Sequence, residues 1–209
     1  MLIKHRDIFK YVPARLQGVL HGGAHAMEEY DFYRKIKIAD KVTWIEANPN
    51  MVIDHANKVK EGDRLIAAAL WSQTGIMFDF HIANNGESSS LLEFGTHAKE
   101  HREVKFIDTV TVATSTLNVL ALQDGHEDMF QADFLNLDIQ GAELEALKGA
   151  TTLLEGNLKY LYLEVNEKPL YKECGLLPEI EEFLTPYGFN RVLTEMTVHG
   201  WGDALWIRS

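Results

Sequence analysis

The chain has 209 residues, 46% of them hydrophobic, enough for one domain around a single sizeable core. Its formal net charge of −11 argues against binding a phosphate backbone, which needs clustered Lys and Arg, so no nucleic-acid partner is expected. The lone Cys174 excludes an internal disulfide, no apolar run is long enough to span a bilayer, and MLIKHRDIFKYVPAR lacks the apolar stretch of a secretory signal. A soluble, cytoplasmic protein without a membrane partner is expected.

A polar segment ends near Pro13, and LQGVL (16–20) is then a short apolar strand closed by Gly22 and Gly23. EEYDFYRKI has helical spacing. KVTWIEANP rises to a strand over 42–45 that ends on Glu46, with Pro49 placed for the first turn of a helix carrying Val52, Ala56 and Val59. RLIAAAL (64–70) reads as a third buried strand, so strands and helices alternate as they do around a parallel sheet with right-handed crossovers.

Between 74 and 116 the pattern changes. IMFDFHI alternates at period two, GESSS is polar, and FIDTVTV is a second strand candidate, which together read as an insertion of half-exposed strands. STLNVLAL (115–122) is a short helix and DGHED a loop. DFLNLDI (133–139) is the fourth core strand, followed by one helix with Leu144, Leu147, Thr151 and Leu154 on a shared face. KYLYLEV (159–165) is the fifth. LLPEIEEFLTPYG is a helix closed by Gly188, and FNRVLTEM with DALWIRS forms an antiparallel edge hairpin.

The groups suited to chemistry sit at strand ends, where open α/β sheets bind ligands. Gly22, Gly23, Ala24 and His25 form the first strand-to-helix turn, in which glycine permits positive φ and close approach. The three spaced glycines of a dinucleotide fingerprint are absent, which disfavours NAD or FAD. Glu46 follows by about twenty residues, the spacing at which a strand-end acid accepts ribose hydroxyls. Asp138, directly after an apolar strand, reads as a site acid. Glu143 reads as a first-turn acid facing the helix dipole, and Glu164 either as a site acid or as a bridge to backbone or arginine. Nine histidines provide no zinc-type helical pair: His97 and His101 in THAKEHRE read as a solvated helix face, and His21 as loop polarity. No metal site is assigned. Trp201 is either edge-strand packing or the lip of a substrate mouth.

Taken together, GVLHGGAHAMEE, WIEANPN, AAALWSQTG, GESSSLLEF, LNLDIQGAELEALKGA and LYLEV resemble the FkbM family of S-adenosylmethionine-dependent methyltransferases over about Gly18 to Arg208. The resemblance implies a single domain over 1–209. Its α/β fold is the Rossmann-like class I methyltransferase sheet: seven strands, mostly parallel, with an antiparallel C-terminal edge hairpin and a β insertion (74–116) between the third and fourth core strands. It further implies that Gly23, Ala24 and His25 hold the amino-acid part of S-adenosylmethionine and Glu46 the ribose, with Ala69, Leu70 and Trp71 near adenine. Gly22, Ala47, Asn48, Ser89 and Asp138 complete the expected cofactor set. Where the family pattern has aspartate, glycine, proline, lysine and glutamate, this chain has His21, Met27, Ala47, Asn136 and Gln140.

The implied activity is O-methyl transfer to a hydroxyl of a small molecule, a sugar or sugar-containing metabolite, with Asp138 as the first candidate base and His25 or Glu164 the second. A non-catalytic partner or regulatory subunit is the alternative, resting on His21 and Met27. The exposed insertion strands would either pair with a second copy, giving a homo-oligomer, or cap the site.

Overall fold

A computed structural model describes residues 1–12, 15–35 and 41–209. Pro13 and Ile36, at the expected ends of the first polar segment and first helix, lie outside them. In chain order the elements are α1 (His5–Ile8), β1 (Val19–Gly22), α2 (Tyr30–Lys35), β2 (Val42–Glu46), α3 (Pro49–His55), β3 (Arg64–Ala67), β4 (Ala69–Leu70) and β5 (Met77–Ala83). There follow α4 (His97–Glu100), β6 (Phe106–Ser115), α5 (Leu117–Ala121), β7 (Phe134–Leu137), α6 (Glu143–Lys148), α7 (Thr151–Glu155), β8 (Tyr160–Asn166), α8 (Leu177–Leu184), β9 (Phe189–Met196) and β10 (Trp201–Arg208).

Seven strands form one sheet in the order β3-β2-β1-β7-β8-β10-β9. Neighbours from β3 to β8 are parallel, whereas β10 runs against both β8 and β9, so β10 alone points backwards. The central strands are fully buried because both faces are covered. Leu20, Ile45, Leu135 and Leu161 face a core shared with α5 to α8, while their neighbours Val19, Trp44, Phe134 and Tyr162 face a second core shared with α1 and α2. This alternation on every strand fixes the register, since a one-residue slip would exchange the two faces.

Two expected elements are divided. RLIAAAL is not one strand: β2 ends at Glu46, opposite Ala67, so after Ala68 donates its N–H to the Glu46 carbonyl the chain has no further partner there. It turns away, and Ala69–Leu70 pairs with Thr114 and Ser115 of β6 in a separate three-stranded sheet, β4-β6-β5. The expected helix over 144–154 is likewise two helices, broken at Gly149. There a Cβ would lie 2.3 Å from the Trp71 carbonyl oxygen, so α6 ends in a close approach that only glycine allows. The helix expected over 115–122 starts at Leu117, after Thr116 caps it by accepting from the Val119 N–H.

Leu135 lies at the centre of the sheet with no exposed surface, and Leu122 is 72% exposed. Leu135→Ala is expected to lower unfolding stability by about 2–5 kcal/mol. Leu122→Ala is expected to change it by no more than about 0.5 kcal/mol. Urea unfolding midpoints compare the two.

Candidate active site

The carboxyl ends of β1, β2 and β7 converge. Gly23 adopts φ +85°, and a Cβ there would sit 1.8 Å from the Asp138 carbonyl oxygen, so β1 and β7 meet backbone to backbone. The Gly23 N–H donates to the Ile45 carbonyl and the Asp138 N–H to the Gly22 carbonyl, which ties all three strand ends together. Beyond Gly23 the loop stays left-handed at His25 (φ 39°) and Met27 (φ 59°).

Glu46 is buried at the end of β2 and braces two loops. Its Oε2 accepts the His25 N–H at 2.9 Å and its Oε1 the Asn48 N–H at 2.8 Å. Burial raises its pKa and these two amides oppose the rise. Asn48 then caps α3 by accepting the Asn50 N–H, with Pro49 in the first turn.

The turn after β7 concentrates carboxyl groups. Gln140, at φ 55°, donates from Nε2 to Asp138 Oδ1 at 2.8 Å and to Glu164 Oε2 at 2.5 Å, and its Oε1 accepts the Tyr171 hydroxyl at 2.7 Å. Glu143 is the expected first-turn acid of α6, and it does more than face the helix dipole. It is buried, accepts the Ile139 and Gly141 N–H groups, and has its pKa pushed up to about 7 by that burial. Among the described residues Glu164 meets neither a backbone group nor an arginine; burial, with Asp138 alongside, pushes its pKa well above the usual carboxylate range.

Two cavities meet at this turn. The first, with about 590 Å³ of empty space partly open to solvent, has apolar walls from Ile45, Leu70, Phe80 and Leu91 and an acid, Glu46, at its rim. The second, about 1380 Å³ on the same measure, reaches from His21 and Glu164 to His97, Tyr171 and Trp201. Gly23, His25, Glu87, Asp138 and Gln140 belong to both.

Of the residues expected around a cofactor, Gly23, His25, Glu46, Ala47, Asn48, Leu70, Ser89 and Asp138 line the first cavity. Gly22, Ala24 and Ala69 are absent from its wall. At Gly22 a Cβ would meet Leu70 and Leu137 side chains, so this glycine is a packing position behind the loop. Ala68 lines the cavity where Ala69 was expected, because the chain leaves the sheet one residue earlier. Sequence reasoning missed Phe80, Leu91 and Glu87, contributed by β5 and the loop after it; an apolar residue on an exposed-looking strand gave no signal.

The histidines also differ from expectation. His21 is a buried strand residue, not loop polarity: its Nδ1 lies 2.7 Å from the Tyr33 hydroxyl, which accepts from Asn136 Nδ2 at 2.8 Å. Desolvation lowers its pKa, so it is neutral. His97 is only 5% exposed and stacks on Phe94, which places this part of THAKEHRE in the second cavity instead of on a solvated helix face. His25 pairs with Glu28 at 2.9 Å, which raises the imidazole pKa and lowers that of Glu28 to about 2. Among the described residues no group of three or more His, Cys, Asp or Glu could hold a metal ion.

The methyltransferase FkbM domain model matches residues 21–191, from the first strand to the edge hairpin. The chain belongs to the FkbM methyltransferase family. The crystal structure of an FkbM methyltransferase from Methylobacillus flagellatus KT aligns with 99% of this chain and 45% of its own, with a TM-score of 0.59 and 13% identity. This chain thus spans under half the length of that relative. Magnesium protoporphyrin IX methyltransferase from Synechocystis PCC 6803, solved with bound S-adenosylmethionine, aligns with 97% of this chain and 74% of its own, with a TM-score of 0.51 and 14% identity. At these identities the likeness is one of fold. No curated protein matches the sequence.

Because the folded chain keeps a proton on Glu164 that the unfolded chain releases, its contribution is fully present below the unfolded pKa of about 4.3 and is lost as pH rises toward the folded value. Glu143 acts in the same sense between 4.5 and about 7. The stability that these two acids contribute is therefore expected to fall as pH rises above about 5, opposed by buried His21, whose lowered pKa acts in the other sense. Glu164→Gln, which imitates the protonated acid, is expected to reduce that fall and raise the melting temperature at about pH 8, by about 2–4 °C per kcal/mol regained. Scanning calorimetry from about pH 5 to about pH 8 checks it.

Proposed function

We propose that the chain is an S-adenosylmethionine-dependent O-methyltransferase acting on a hydroxyl of a small molecule, a sugar or sugar-containing metabolite. The observation that carries this reading is the common wall of the two cavities: a methyl donor in one and an acceptor in the other would face each other across Asp138. When bound, the cofactor supplies a methyl group already activated on a sulfonium sulfur.

The residues present fit that group. Ile45, Leu70, Phe80 and Leu91 offer apolar walls to an adenine. Glu46 has lone pairs beyond the two amides it accepts, and these suit ribose hydroxyls. Gly23 leaves room for a close approach of ligand to backbone beside Asp138. In this reading Asp138 takes the acceptor's hydroxyl proton as the new bond forms. Gln140 holds Asp138 through Oδ1. Neutral Glu164 lies alongside as a positioning group, and His25, whose pairing with Glu28 favours the imidazolium, is the poorer proton acceptor. Reaction then depends chiefly on holding donor and hydroxyl in line. The left-handed backbone at Met27 keeps a glycine-like loop shape, and no observation favours a non-catalytic partner.

Titration of the protein with S-adenosylhomocysteine by calorimetry is expected to give saturable heat, with NAD as a silent control; no heat at millimolar ligand overturns the reading. Glu46→Gln is expected to weaken that binding by about tenfold, one charge-assisted hydrogen bond's worth. Asp138→Asn is expected to bind normally and, with an acceptor in hand, to turn over about 10²–10⁴-fold more slowly. Unchanged turnover would remove Asp138 as the base.

A further inference from the structure

The second cavity is one-sided in charge. Acids line it throughout, from Glu29 and Glu87 near the shared wall to Glu103 at the far rim; among the described residues no Lys or Arg does, and the Met1 α-amino group is the cation on the wall beside His21 and Asp203. Its histidines do not offset them. His21 is held neutral by burial, His97 is shifted the same way, the charge that pairing favours on His25 is matched by Glu28, and His101 faces Glu103 at 3.9 Å.

Some of this acidity would serve a sulfonium donor, but not all of it. Glu29 and Glu103 line the second cavity and not the first. Glu103 stands 3.9 Å from the His101 ring, next to His97. His97 supplies an independent sign of a ligand: its Nδ1 is buried and has no hydrogen-bond partner among the described residues, in a residue 5% exposed that lines the cavity. A buried imidazole nitrogen without a partner, in a residue on a cavity wall, calls for a polar group from outside the described residues, donor or acceptor according to the tautomer. Trp201, partly exposed, adds aromatic surface to the same cavity, which suits the face of a sugar ring or an ammonium group.

We infer that this cavity takes a hydroxyl compound that also carries a protonated amine, with amino sugars the simplest such class, and that it turns away phosphorylated or carboxylated acceptors. The inference rests on the methyltransferase reading only for naming the cavity as the acceptor site. The specificity comes as much from repulsion as from attraction: a phosphate or carboxylate would enter among an excess of carboxyl groups, met only by the Met1 α-amino group and by His25, itself paired with Glu28. Side chains of Glu29 and Glu103 are 17% and 78% exposed, so water and salt weaken the effect, and the preference is moderate.

The test compares D-glucosamine, D-glucose and glucose 6-phosphate as ligands of the full chain, by ligand-observed NMR titration with and without S-adenosylhomocysteine. Glucosamine is expected to bind about three- to tenfold more tightly than glucose at low salt, and the phosphate more weakly than either. The double variant Glu29→Gln, Glu103→Gln is expected to bring the amine-to-neutral ratio to within about twofold of unity with its melting temperature unchanged. Equal binding of amine and neutral sugar, no binding of the amine at tens of millimolar, tighter binding of the phosphate, or a ratio that survives the double variant overturns the inference. Amine preference in a protein that gives no heat with S-adenosylhomocysteine would instead remove the methyltransferase reading and leave the cavity's selectivity standing.

Discussion

Three carboxyl groups, Asp138, Glu143 and Glu164, share one buried corner at the end of β7, and the site is organised by how the chain tolerates them. Isolated charges there would be costly, and the structure meets that cost in different ways. Glu143 is wrapped by the amides of the turn it follows, so its carboxyl group fixes the shape of residues 139–141. Glu164 is pushed toward its neutral form. Gln140 bonds both Asp138 and Glu164 and is itself held by Tyr171, which fixes the acid that faces both cavities. A glutamate at position 140, as in the family pattern, would add another carboxyl group to the corner; the amide supplies donors instead.

The departures at His21 and Asn136 have a common explanation. They are paired across β1 and β7 in register, and both contact the buried hydroxyl of Tyr33. An acidic and a basic residue would form an ion pair in this position. This chain has a neutral hydrogen-bonded group there, packed beneath Trp44 and bordering the second cavity. Exchange of a buried ion pair for a neutral group of similar size is often tolerated, because the desolvation cost disappears along with the attraction. His21 is thus one half of a compensated pair, so its presence is not by itself a sign that the cofactor loop has decayed.

The sheet was legible in the sequence because burial on both faces leaves a clear mark: VTWIE, FLNL and YLYLEV are near-continuous apolar runs ending on polar groups. The same rule located Glu46 and Asp138, since a strand's carboxyl end is where an acid meets a ligand. What could not be read was decided by contacts distant in sequence. The end of β3 depends on where β2 stops, the break at Gly149 on the Trp71 carbonyl, and the burial of His97 on Tyr171. THAKEHRE looks solvated because its neighbours in sequence are charged, whereas the neighbours that matter to His97 are aromatic rings.

The insertion changes meaning once its contacts are known. Phe80 and Leu91 close the apolar side of the first cavity, Glu87 enters the shared wall, and His97 with Glu103 reaches into the second. The 74–116 segment therefore does not decorate a finished site. The parallel sheet supplies the fixed acids, Glu46 and Asp138, at positions set by strand pairing, and the insertion adds Glu87, His97, His101 and Glu103 to the wall of the second cavity. Because β4, β5 and β6 form a sheet of their own, what the insertion contributes lies outside the register that fixes the strand ends.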